Sequence, residues 1–108
     1  MRKIEQQMMQ AIHNKRAWRL ANTEVNPKSD GNVDVLLYGN RIANIGKEAV
    51  TICDCGWQSA TTKSRLHVIL QNFCGARLYQ HTKKWFVEVN DRTQAISTNT
   101  SYTLTRTY

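Results

Sequence analysis

The chain has 108 residues, 41% of them apolar, with one proline and three cysteines, which fits one compact domain and excludes two. No run approaches the ~20 apolar residues of a membrane span, and Met1-Arg2-Lys3-Ile4-Glu5-Gln6-Gln7 lacks the apolar stretch of a signal peptide, so a cytosolic protein without membrane contact is expected. Fifteen Lys and Arg against eight Asp and Glu leave a formal charge of +7, which points towards nucleic acid, an acidic protein surface or anionic lipid.

Residues 2–21 contain neither glycine nor proline and are rich in Gln, Met, Ala, Arg and Lys, so this stretch is predicted as one helix. Ile4, Met8, Ala11, Ile12 and Trp18 fall on one face. Arg2, Lys3, Lys15, Arg16 and Arg19 are five bases against the single acid Glu5, a net +4, and make Arg16 and Arg19 candidate contacts for an anion. The turn formers Asn26-Pro27-Lys28-Ser29-Asp30-Gly31-Asn32 follow as a loop. Val33–Tyr38 and Arg41–Ile45 then flank Gly39-Asn40, a two-residue connection suited to a tight hairpin. Alternation in 48–53 predicts a third strand of a meander.

A second helix opens after Ser59, Thr61 or Thr62 as N-cap, and Leu66, Ile69, Leu70, Phe73 and Cys74 form its apolar stripe before Gly75 stops it. Ala76–His81 and Trp85–Asn90, joined through Thr82-Lys83-Lys84, read as another hairpin. The expected fold class is α+β: an N-terminal helix, an antiparallel sheet of about five to six strands in two hairpin or meander units, and a second helix between those units on one sheet face. Residues 1–92 make up this single domain, with 93–108 either a Thr/Ser-rich tail or an edge strand, since Tyr102–Tyr108 alternates and is β-prone.

Cys53, Cys55 and Cys74 with His67 are the one set resembling four zinc ligands, but Cys53 and Cys55 have one intervening residue where a knuckle uses two to four. Cys74 fits the apolar stripe instead, so no metal is expected. Cys55 with His67 or His81 is the candidate nucleophile–base pair, without an ordering motif, and the eight acids are scattered. There is no glycine-rich phosphate loop; the expectation is a non-enzyme without cofactor.

The start of the second helix is more informative. Lys63 and Arg65 occupy a first turn where acids normally sit, and Thr61, Thr62 and Ser64 add hydroxyls, an arrangement suited to an anion or to a plain solvated turn. Between Cys55 and Val87 there are five bases, Lys63, Arg65, Arg77, Lys83 and Lys84, and no acid. Aromatic residues share that stretch, and Tyr79 lies on one strand face with Arg77 and His81, as single-stranded nucleic acid requires.

The run Gly56-Trp57-Gln58-Ser59-Ala60-Thr61-Thr62-Lys63-Ser64-Arg65-Leu66, with Ile4-Glu5-Gln6-Gln7-Met8, Ala11-Ile12, Trp18, Asn22-Thr23-Glu24-Val25 and Leu37–Ala43, resembles a family of short tailed-phage proteins, a domain of unknown function. The resemblance covers roughly residues 1–90, leaves out the tail, and implies a phage accessory protein working in the host cytoplasm, with no catalytic residue to carry across. Such proteins commonly act by binding. The first expectation is therefore attachment to nucleic acid or to a nucleic-acid-handling host complex. The alternative is a protein inhibitor of a host defence or host-takeover target, for example an anti-CRISPR, acting on an acidic host protein. A homodimer through the hairpin edge or the terminal strand is a third reading.

Overall fold

The first helix ends earlier than its composition suggests. In the computed structural model, which describes residues 2–108, α1 spans Lys3–His13. Lys15 takes a left-handed conformation (φ 48°), its N–H bonds the Ile12 carbonyl at 3.1 Å, and the Arg16 N–H reaches back to the Ala11 carbonyl at 2.9 Å. This is a Schellman-type stop built without glycine. The single helix expected over 2–21 is thus corrected: Trp18–Leu20 is strand β1, which turns through Ala21 (φ 52°) into β2, Thr23–Pro27. Arg16 lies in the connection and Arg19 on β1, where it pairs with Glu24 at 3.2 Å, so neither extends a basic helix face.

The meander continues through β3 (Val33–Leu37), β4 (Asn40–Ile45) and β5 (Ala49–Ile52). The tight turn is one residue earlier than expected, at Tyr38-Gly39, both with positive φ (51° and 79°). After β5 come α2 (Ala60–Cys74), β6 (Arg77–His81), β7 (Lys84–Val89), β8 (Arg92–Ile96) and β9 (Tyr102–Thr105). The architecture is α+β and antiparallel with the second helix between two strand groups, as expected, but among the described residues the strands number nine in two sheets. A six-stranded sheet runs β1-β2-β3-β4-β5-β9 and a three-stranded sheet β6-β7-β8. Residues 93–108 are drawn in: β9 pairs with β5, Ile52 opposite Tyr102 and Ala49 opposite Thr105. The Thr107 N–H bonds the Phe73 carbonyl at the end of α2 at 2.8 Å.

One face of the large sheet is apolar. Val25, Val35, Ala43 and Ile52 lie in register across four strands, with Val33, Leu37, Ile45 and Val50 beside them, all buried. The other face is a polar ladder in which Asn44 donates to Asp34 at 2.7 Å and the hydroxyls of Thr51 and Thr103 meet at 2.9 Å. Onto the apolar face α1 brings Met8, Ala11 and Ile12, and α2 brings Leu66, Ile69, Leu70 and Phe73. Because α2 also covers Leu78, Trp85 and Val87 of the small sheet, one core serves both sheets. Cys74, at 2% exposure, is a core side chain, as its place in the stripe predicted.

Candidate functional site

The start of α2 holds the residues that most resembled an anion site, and their geometry reassigns most of them. Ser59 is the N-cap: its hydroxyl accepts from the Thr62 N–H at 3.1 Å and contacts the Thr62 hydroxyl at 3.0 Å. That uses an N–H an anion would need. Thr62 is buried, so it presents nothing outward. Ser64 donates to Glu5 Oε2 at 2.5 Å.

Arg65 is 3% exposed, so its reading as an anion contact is corrected. Its Nη1 donates to Glu5 Oε2 at 2.8 Å and its Nε to the Thr23 hydroxyl at 3.1 Å, joining α2, α1 and β2. A helical phase brings this about: Arg65 adjoins Leu66 on a helix enclosed by two sheets and α1, so a position next to the apolar stripe is interior as well. Burial pushes the Glu5 carboxyl up, but hydrogen bonds from Ser64 and Arg65, the Arg65 charge and the Arg2 backbone outweigh it, and the group titrates below the usual carboxylate range. Lys63 remains on the rim, with Nζ donating to Gln80 Oε1 at 3.2 Å, and Thr61 lines a neighbouring groove with Trp57.

The remaining candidates meet on the outer face of the three-stranded sheet. Leu78, Trp85 and Val87 point to the core, so strand alternation turns Arg77, Tyr79, His81, Lys84 and Phe86 outward. Tyr79 and Phe86 are directly paired across the strands and stack, ring centroids 5.6 Å apart and planes 24° from parallel. The Arg77 guanidinium lies 4.4 Å from the centre of the Tyr79 ring and also bonds Glu88 at 3.2 Å. Thr82-Lys83, both with left-handed backbone, make the turn that puts Lys83 and Lys84 at one end of this aromatic platform. Phe86 completes it, while its strand neighbour Trp85 is turned inward and buried.

The cysteine readings also meet structure. The Cys55 Sγ donates to the Arg41 carbonyl at 3.0 Å. Burial first, then the adjoining Cys53 and Asp54, push its thiol up to about 11. At neutral pH such a thiol holds about a hundredfold less thiolate, the nucleophilic form, than an ordinary cysteine. Iodoacetamide at pH 8 is therefore expected to label Cys55 far more slowly than a free cysteine peptide, the rate climbing with pH towards 11; peptide mass mapping checks this, and fast labelling at pH 8 contradicts it. His67 has a structural task, its Nδ1 accepting the Leu78 N–H at 3.2 Å.

Two antiparallel sheets sharing one helix, with an aromatic and cationic outer face on the smaller, define a small α+β scaffold. The chain belongs to the Kyanoviridae Gp96 protein family, a phage family, which it matches over residues 1–106. The match includes β8 and β9, so the family extends past Asn90, where the sequence resemblance had been expected to stop. No curated protein and no solved structure matches the chain. Among the described residues no helix is long and apolar enough to cross a membrane.

Proposed function

We propose that this is a non-enzymatic phage accessory protein that holds single-stranded nucleic acid on the outer face of its three-stranded sheet, in the cytoplasm of the infected host. The observation that supports this most is the Tyr79–Phe86 stack with the Arg77 guanidinium over one ring and Lys83 and Lys84 at the hairpin end. Flat aromatic faces accept any base, and the cations neutralise the accompanying phosphates. Fluorescence anisotropy with labelled single-stranded oligonucleotides at about 50 mM salt should show binding that weakens steeply as salt rises. No binding, or binding indifferent to salt, rules the proposal out.

A second reading is favoured by a different surface. Trp57 and Tyr38 are exposed at 68% and 75%, large aromatic areas of the kind found at protein contacts, which favours an inhibitor acting on a host defence or host-takeover protein. Capture from host lysate that survives nuclease treatment supports this second reading, and loss of the captured partner on nuclease treatment supports the first.

A further inference from the structure

Tyr38 and Trp57 border a groove of about 490 Å³ with Leu37 and Ile42 among its apolar lining. Asp54, 2% exposed, also lines it. Its Oδ1 is fully engaged, accepting the Gly56 N–H at 2.9 Å, the Asn99 N–H at 2.6 Å and the Thr98 hydroxyl at 3.4 Å. Its Oδ2 is buried and has no hydrogen-bond partner. Among the described residues no cation pairs with Asp54; Arg41, on the strand beside it, reaches Asp34 at 3.7 Å instead.

A buried carboxylate oxygen without a donor is costly, and the cost is removed when a donor, best a charged one, reaches it. Within the groove lining Asp54 is the only acidic side chain, and there is no basic one. That charge opposes phosphates and suits a cation. Aromatic faces at the rim suit a planar, weakly hydrated cation more than a compact ammonium. We propose that this groove receives an arginine side chain presented by a partner protein, its guanidinium stacking on Trp57 or Tyr38 and pairing with the Asp54 carboxylate, whose Oδ2 a small shift of the groove lining would uncover. The groove shares no residue with the Tyr79–Phe86 face, so the two proposals stand or fall separately.

The test uses the full chain and a short capped peptide, Gly-Arg-Gly, against its citrulline counterpart, which keeps the shape and loses the charge. The indole N–H signals of Trp18, Trp57 and Trp85 in a nitrogen–proton correlation spectrum are the readout. The arginine peptide should move the Trp57 signal saturably and leave Trp85 in place, with the citrulline peptide about tenfold weaker or worse. Asp54→Asn keeps an acceptor for Gly56 and Asn99 but puts a donor at the free position, and should abolish the shift. Trp57→Ala alters an exposed side chain and should abolish binding, read by calorimetry, with an unchanged melting temperature. Equal response to citrulline, full response in folded Asp54→Asn, no shift at millimolar peptide, or a Trp57 response to an oligonucleotide in its place each overturns the proposal.

Discussion

Replacing Arg65 by alanine is expected to destabilise the protein by about 3–5 kcal/mol, lowering the melting temperature by at least roughly 12 °C. The reason is the carboxylate left behind. Glu5 is 2% exposed, and without Arg65 it retains only the Ser64 hydroxyl and the Arg2 backbone to compensate its burial. Glu5→Ala should cost a similar amount by stranding the guanidinium. The double replacement Glu5→Leu with Arg65→Met should be more stable than either single variant, because no unpaired charge stays inside. Thermal denaturation ranks the four proteins; a double variant no more stable than the single ones would show that the pair is not coupled. The same site sets an acid limit. Glu5 titrates lower folded than unfolded, so its contribution is fully present above the unfolded value of about 4.3 and is lost as pH falls through the folded one. Stability should therefore drop on acidification below about pH 4, and Glu5→Gln should flatten that part of the profile.

The second large effect concerns the sheet face. Removing both Tyr79 and Phe86 side chains should weaken oligonucleotide binding by about a hundredfold, since each base stacked on an aromatic ring is worth about 1–3 kcal/mol. The salt dependence should survive, because the cations remain. Lys84→Gln should do the converse, a modest loss of affinity with a shallower salt slope, by about one ion per phosphate contact removed. Anisotropy over a salt series separates the two, and circular dichroism guards against loss of fold in the Phe86 variant. A double aromatic variant that binds like the parent would remove the face from the proposal. Charge reversal at Lys63 and Arg65 together cannot replace this experiment, as Arg65→Glu would place two acids in the core.

Periodicity made the second helix, its glycine stop and the β6–β7 hairpin legible, because Leu66, Ile69, Leu70 and Phe73 and the alternating Leu78, Trp85 and Val87 each follow one period throughout. The end of α1 was hidden for a definite reason. Lys15 and Ala21 adopt left-handed backbone with no glycine or asparagine at either position to mark the turn. Asn90-Asp91, which leads into β8, uses the same backbone with residues that do tolerate it, and a tail rich in Ser and Thr masked the signal. At the candidate site, alternation correctly grouped Arg77, Tyr79 and His81. Arg65 misled because its partner lies 60 residues away, and no local pattern distinguishes a basic residue turned to solvent from one paired inside.

The pairing of Ile52 with Tyr102 gives the chain a neck. Everything from Cys53 to Ser101, including α2 and the three-stranded sheet, is topologically one long excursion between two adjacent strands of the larger sheet. Each doubling of such an excursion costs only about 0.6 kcal/mol in closure entropy. Lengthening or reshaping its outer hairpins is therefore expected to leave the neck almost untouched.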